Sequence, residues 1–187
     1  MKTDTYHHGN LKEELIEKGL EYINRYGTES LSMRKLADSV GVSPAAPYAH
    51  FKNKEAFLTA VRDYITERFY QMLQEAVDRC PKPERILLEL GKSYVRFFYE
   101  NPLYYRFLFS RDDIDTEKYQ PFLLFRSIAE EALGQPKAGK AAGSVHTKVI
   151  ALWALVHGLS SVVTIKGAVD TDHLDEEVEQ ILGSVTV

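Results

Sequence analysis

An all-α fold is predicted for this chain of 187 residues. Three observations predict it. Apolar residues recur at three- and four-residue spacing in segment after segment, almost no run alternates with the period of a strand, and Gly, Pro and capping residues divide the chain into helix-sized pieces. At 44% hydrophobic content the chain can bury one large core, or a small core joined to a larger one. Aromatic content of 11% and well-mixed charge argue against disorder.

The first helix is expected over 11–26, with the apolar stripe Leu11, Leu15, Ile16, Leu20 and Ile23 and Gly27 as its stop. Ser32 is the N-cap of a short second helix whose stripe is Met33, Leu36, Ala37 and Val40, and Gly41 ends it. Ser43 offers another N-cap and Pro44 a first-turn proline, so a third helix is expected to run to about Phe51. Two short helices joined by a Gly-containing turn form the helix-turn-helix pattern. Asn53 then caps a long helix carrying Phe57, Leu58, Val61, Ile65, Phe69, Met72 and Ala76 on one side, and Cys80 to Pro83 break it. Helices are expected over 84–100, from Asn101 and Pro102 to about Phe109, over 119–133, over 145–166 and over 174–185. Residues 110–116 read as a loop, and 134–144, with three glycines and a proline, as a flexible linker.

Charge excludes some classes. Lys and Arg number 23 against 27 Asp and Glu, a net −4, so the chain is no globally polybasic nucleic-acid coater, although one face can still contact DNA. The single cysteine, Cys80, permits no intramolecular disulfide, which points to a reducing, cytoplasmic compartment. The opening MKTDTYHHGN has no apolar run, so no signal peptide is expected. The uncharged stretch 149–165 is 17 residues long and contains His157, Gly158, Ser160, Ser161 and Thr164. A span needs about 20 predominantly apolar residues, so this segment is expected to be a helix buried in protein, with no membrane partner.

No catalytic or metal site is expected, and no cofactor. His146 and His157 lie eleven residues apart on one helix, about 16 Å, and cannot share a metal. No phosphate-cradling Gly-rich loop, nucleophile elbow or HExxH occurs, and Cys80 has no second thiol. The chain is not expected to be an enzyme.

The N-terminal helices would hold the third helix out from the body, as entry into a major groove about 12 Å wide requires. Residues 1–60 carry eight basic and eight acidic groups, while the remainder carries the whole −4. Lys52 and Lys54 stand just past the third helix near Tyr48 and His50, opposed only by Glu55, which suits a phosphate-facing rim. A three-helix packing module without DNA remains the alternative at this point.

The stretch SLSMRKLADSVGVSPAAPYAHFKNKEAFLTAV, residues 30–61, resembles the DNA-binding region of the TetR family of bacterial transcriptional regulators. Its ordered set of Ala37, Gly41, Val42, Ser43, Tyr48, Phe51 and Lys54 is far more specific than a generic helix-turn-helix. The preceding YHHGNLKEELIEKGLEYINRYG is similar to the first helix and lead-in of one branch of that family. LWALVHG, residues 152–158, resembles the Trp-His-Gly (WHG) signature of a C-terminal effector domain found in the same branch.

That resemblance implies a helix-turn-helix DNA-binding domain over 1–53 and a ligand-binding and dimerisation domain over 54–187. It implies a homodimer on the two halves of a near-palindromic double-stranded DNA operator, released as a repressor by a small-molecule effector. Among residues, it places Tyr48 and Lys54 on backbone phosphates, with Ser32 and His50 often so, and Ala45 and Ala46 towards base edges. Two positions depart from the family pattern: Pro47 where Leu or Ile is usual, and Ala49 where Arg or another polar residue is common. Pro47 removes a hydrogen bond and crowds the carbonyl of Ser43, so the third helix is expected to begin tightly or kinked. Sequence readout is then expected from alanine contacts to thymine methyls, from Arg34 or Tyr48, and from the lead-in 6–10. Ser43, at the helix start, completes the DNA-facing set.

Val145, Val149, Leu152, Val156, Leu159 and Val163 make one apolar stripe, while Ala151, Ala154, Gly158 and Ser161 make a small-residue face that permits close helix approach. Leu174, Val178, Ile181, Leu182 and Val185 give the last helix its own stripe, with Asp175, Glu176 and Glu177 in its first turn. These last two helices fit either a four-helix homodimer interface or an intramolecular core. Between the two parts lies an aromatic-rich middle, whose candidates for lining an effector pocket are Tyr94, Phe97, Phe98, Tyr105, Phe122 and Phe125, joined by Trp153 and His157. Packing alone accounts for such a set equally well. Trp153 and His157, four apart, are favoured for a structural role in which imidazole packs on indole. The remaining alternative for the whole chain is a helical dimerisation or binding protein whose helix-turn-helix does not bind DNA.

Overall fold

The computed structural model describes residues 11–110, 114–134 and 143–185, and every regular element among them is helical. In chain order the α-helices are α1 Leu11–Tyr26, α2 Met33–Val40, α3 Lys54–Arg79, α4 Ile86–Glu100, α5 Pro102–Phe109, α6 Gln120–Leu133, α7 Gly143–Val162 and α8 Leu174–Val185. The lead-in 6–10 and the linker residues 135–142 lie outside the described residues. Two compact units divide the chain: Met1–Ile65 with Arg106–Ser110, and Thr66–Tyr105 with Arg111–Val187.

In the first unit, α1 buries Leu15, Ile16, Gly19 and Leu20, and α2 buries Met33, Leu36 and Ala37. Gly19 is there for space: a Cβ would meet the Phe57 ring and the Leu36 methyl. Local chemistry sets the boundaries. Gly27 stops α1 at φ 80°, and its N–H still donates to Ile23 O at 2.8 Å. Ser32 caps α2, its hydroxyl accepting from Lys35 N at 3.3 Å. At the other end Gly41 is left-handed at φ 74°. Its N–H and that of Val42 donate to Asp38 O and Ala37 O, the paired bonds of a Schellman stop. Asn53 caps α3, with Oδ1 accepting from Ala56 N at 2.8 Å.

The expected third helix is corrected to a turn. Pro44 and Ala45 form a turn, and only Ala46–Ala49 is helical, as a 3-10 segment. Its N-cap is Ala45 rather than Ser43. The cause is Pro47, which has no N–H to offer the Ser43 carbonyl and crowds it. Ser43 O accepts from Ala46 N at 2.9 Å instead, Ala45 O from Tyr48 N at 3.1 Å, and Pro47 O from His50 N at 3.1 Å. These are i to i−3 bonds, the tighter winding. Pro47 and Phe51 are buried and anchor the turn, while Phe51 meets Phe57 edge-on at 5.1 Å.

In the second unit α4 packs against α6, α7 and α8. Leu90, Tyr94, Val95, Phe97 and Phe98 of α4 are buried, and Gly91 brings it close to α8: a Cβ there would lie 2.8 Å from Leu182 Cδ1. Phe69 and Leu73 of α3, Phe122, Phe125 and Ala129 of α6, Val149, Val156 and Leu159 of α7, and Val178 and Leu182 of α8 complete the core. Charge also ties one edge to α8: Arg85, just before α4, donates from Nη2 to both carboxylate oxygens of Glu179 at 3.0 Å, and Arg96 of α4 pairs with Asp175. The hydrogen bond from Arg85 holds the Glu179 carboxyl below the usual range.

Two expectations about α7 are corrected. It ends at Val162, short of Lys166, in a β-branched run where Thr164 Oγ1 donates to Ser161 O at 2.8 Å and competes with the helix bonds. Nor is it buried on all sides. Val145–Val162 is long and apolar enough to cross a membrane, yet only 22% of it is buried within the chain. Thr147, Ile150, Ala151, Ala154, Gly158, Ser161 and Val162 form one continuous exposed stripe, at the spacing of a single helix face.

Candidate functional site

The residues expected to meet DNA are Ser32, Arg34, Ser43, Ala45, Ala46, Tyr48, His50 and Lys54. All belong to the first unit. Ser32, Arg34, Ser43, Ala45, Tyr48 and His50 are exposed, and Ala46 and Lys54 are half-buried. The short turn displays them through its own anchoring: with Pro47 and Phe51 held in the core, the intervening Tyr48 is turned outwards and is 56% exposed. Lys54 Nζ donates to the Glu29 carbonyl at 3.4 Å, and Lys35 Nζ donates to that of Ser30 at 2.8 Å. Two lysines therefore cover the carbonyls of the Thr28–Ser30 turn that leads into α2. Lys35, three residues after the Ser32 cap, carries no sequence signal that would single it out. It also lies 5.7 Å from the centre of the Tyr22 ring.

The eight aromatic-cluster candidates lie together in the second unit. Trp153 is the hub, meeting Tyr94 at 5.3 Å, Phe122 at 4.8 Å and Phe125 at 5.5 Å, all close to edge-on. Phe97 and Phe98 pack on Phe69 at 4.9 and 4.7 Å, and Phe98 meets Tyr105 at 5.3 Å. Such ring contacts fill space as a core does.

A polar thread runs through this packing. Tyr94 Oη lies 3.1 Å from His157 Nδ1, Tyr105 Oη lies 3.3 Å from His157 Nε2, and Tyr105 also donates to the His157 carbonyl at 3.3 Å. One arrangement of protons satisfies all three contacts. Tyr94 donates to Nδ1, Nε2–H donates to Tyr105, and the Tyr105 hydroxyl donates to the carbonyl. Burial pushes the His157 pKa down, favouring the neutral ring this requires, and pushes the Tyr94 phenol well up. The imidazole is near-parallel to the Trp153 indole, 11° between planes with centres 6.4 Å apart.

An open cleft of about 320 Å³ lies elsewhere in the second unit, lined by α3, α4, the 80–81 turn and Asp175 of α8. None of the eight aromatic candidates lines it. It leaves no mark in the sequence, because packing decides which face of α3 meets the neighbouring α4 and brings Asp175 of α8 to them.

A helix-turn-helix unit with an outward-turned reading segment, joined to a larger helical unit rich in aromatics, is the architecture of a transcription regulator. Comparison with known proteins makes the assignment particular. Residues 15–61 match the family described as bacterial regulatory proteins, tetR family, and residues 87–185, more than half of the chain, match the tetracyclin repressor-like C-terminal domain. The chain belongs to the TetR family of transcriptional regulators, whose members are DNA-binding, ligand-responsive, soluble and not enzymes. Among curated relatives, the class C tetracycline repressor protein of Escherichia coli is 44% identical over 52 residues, covering 28% of this chain and 24% of that protein. An uncharacterized HTH-type transcriptional regulator of Bacillus subtilis (strain 168), YobS, is 29% identical over 99 residues, 52% of this chain and 50% of that one. The match thus spans from about a quarter to half the length of these curated relatives. In fold, the chain is similar to a protein of unknown function from Rhodococcus sp. RHA1, with TM-score 0.74, 24% identity and coverage of 97% and 96%. It also resembles the fatty acid degradation regulator FadR from Bacillus halodurans, with TM-score 0.64, 17% identity and coverage of 91% and 93%.

Proposed function

We propose that this protein is a ligand-responsive repressor that binds a near-palindromic operator as a homodimer and is released by a small-molecule effector. Residues 1–53 serve as the DNA-binding domain and 54–187 as the ligand-binding and dimerisation domain. The observation that carries the reading is the turn 45–50, held in the core by Pro47 and Phe51 while Ala45, Tyr48, Ala49 and His50 stay exposed. Tyr48, His50, Ser32 and Lys54 take phosphates. Ser43, Ala45 and Ala46 approach base edges, and Arg34 supplies a long cationic side chain for readout. A four-residue turn offers few groups for bidentate base pairing, so shape and thymine-methyl contacts carry much of the selectivity.

The dimer forms through α7 and α8. The small and apolar stripe from Thr147 to Val162 is otherwise left to water, and Gly158 and Gly183 have nothing within 4 Å of where a Cβ would stand. Such a face suits a two-fold, self-complementary contact. The effector enters the aromatic cluster around Trp153 and His157, which we place in the Trp-His-Gly branch of the family, and shifts the population towards dimers that no longer match successive grooves about 34–36 Å apart. A cytoplasmic location follows from that role.

Fluorescence anisotropy on the DNA upstream of the protein's own coding sequence, at several salt concentrations, tests the reading. Specific binding to an inverted repeat is expected. Lys54→Ala should weaken all sequences alike and reduce the salt slope by about one unit. Binding no tighter than to random duplex would leave a helical dimerisation protein whose helix-turn-helix is only structural.

A further inference from the structure

We infer that the end of α1 and the start of α2 form a second surface for DNA phosphates, additional to the residues named above; the inference rests on the DNA-binding reading. The chain as a whole is acidic at −4, yet residues 25–35 carry three cations, Arg25, Arg34 and Lys35, against one acid, Glu29. Arg34 already belongs to the proposed readout set. What it lacks there is company, and a ladder of cations and rings supplies it. The Arg25 guanidinium lies 5.9 Å from the centre of the Tyr26 ring, Tyr26 packs on Tyr22 at 4.8 Å, and the Lys35 ammonium lies over the far side of the ladder, on Tyr22. Arg25, Tyr26 and Lys35 are all exposed.

The partners of these cations leave their charge available to an anion. Arg25 rests on a ring, Lys35 on a ring and the Ser30 carbonyl, and Lys54 on the Glu29 carbonyl. Among the described residues none of the three forms an ion pair. A ring face or a carbonyl orients a cation without cancelling its charge, whereas Arg79, Arg85, Lys92 and Arg96 of the second unit are already matched by carboxylates. Continuity names the anion as a backbone phosphate. Lys54 and Lys35 meet adjacent carbonyls of the 28–30 turn, and Ser32, which takes a phosphate in the reading above, accepts from the Lys35 amide. At the other end Ser30 Oγ donates to the carbonyls of Tyr26 and Gly27 at 2.8 and 2.9 Å, which fixes the end of α1 to the same turn. One surface of the first unit therefore runs from Lys54 to Arg25.

Fluorescence anisotropy over a range of salt concentrations tests this with two duplexes, the inverted repeat from the protein's own upstream DNA and a random sequence of the same length. Arg25→Gln and Lys35→Gln should each lower the salt slope by about one unit on both duplexes, because a phosphate contact is indifferent to sequence. Arg25 is exposed, so its replacement leaves the fold intact, and Arg25→Lys, which keeps the charge, should retain the slope. Glu29→Gln removes the opposing acid and should tighten binding to both. Lys118→Gln, in an exposed pair of the second unit, is the control for net charge and should leave the slope unchanged. A lowered slope in Lys54→Ala, with Arg25→Gln and Lys35→Gln both at the parental value, would overturn the second surface and leave the DNA-binding reading standing. Equal losses in Arg25→Gln and Lys118→Gln would also overturn it, since net charge rather than contact would then be at work. No salt-dependent binding of either duplex by the parent protein would overturn both readings together.

Discussion

The first unit buries its aliphatic side chains within one chain, and the large apolar residues it exposes, Tyr26 and Tyr48, both carry a hydroxyl. The second unit buries a denser aromatic core, yet leaves Ile150, Val162 and Ile165 in water at 42%, 39% and 58% exposure. An exposed tyrosine has a polar tip to offer a polar partner, whereas an exposed isoleucine beside Ala151, Ala154 and Gly158 has only shape and apolar area. The contrast indicates what each unit lacks when alone. In the function proposed above, the first unit offers its exposed tyrosines to DNA and the second offers its apolar stripe to a second copy.

That contrast is most exposed to failure at Ala154. Ala154→Glu would place a carboxylate in the middle of the α7 stripe, and burying it unpaired in a dimer costs about 3–5 kcal/mol. Sedimentation velocity should show the variant monomeric at concentrations where the parent is dimeric, with unchanged helix content. A variant that still pairs would remove α7 from the interface.

The two core glycines sharpen the comparison. At Gly19 an added methyl meets the ring of Phe57, itself locked edge-on against Phe51, so Gly19→Ala should cost about 1–3 kcal/mol. At Gly91 the nearest atom is a methyl at the end of the Leu182 side chain, which can rotate away. Gly91→Ala should therefore fall at the bottom of the same range, and urea denaturation of both variants compares them.

Within the second unit, Tyr94→Phe removes the donor to His157 Nδ1 while keeping the ring contacts with Trp153 and Phe98. A loss of about 1–3 kcal/mol is expected, read from chemical denaturation with the single tryptophan as probe. The smallest effect is the response to pH. The His157 pKa lies below its ordinary value of 6.5 in the folded chain, so between the folded and unfolded values the unfolded chain binds more protons. This contribution to stability is complete above pH 6.5 and falls as the pH drops through 6.5 towards the folded value. His157→Gln should flatten that part of the melting-temperature profile.

The sequence revealed most where the determinant was local. Gly27, Ser32, Gly41 and Asn53 stop or cap helices with their own backbone or side-chain atoms, so a few residues of context sufficed to place them. Pro47 announced strain in the third helix, but its reach could not be read, because the outcome depended on which carbonyls Ala46, Tyr48 and His50 would find. The aromatic candidates converge as a cluster, while their lining of a pocket and their packing as a core share one pattern of residues. What the sequence concealed was pairing across distance. The cleft needs Asp175 of α8 to join α3 and α4, and the tie between Arg85 and Glu179 joins residues 94 apart. No periodicity along one helix specifies which face of another it will meet.

Pro47 also limits how the proposed reading segment can diversify. With no amide hydrogen at that position, the turn cannot be extended backwards into a longer α-helix without leaving the Ser43 carbonyl crowded and short of its usual donor. A lineage carrying this proline would change its target preference by exchanging single side chains at Ala45, Ala46, Tyr48 or Ala49. Replacing Pro47 itself would be the step that opens a larger repertoire.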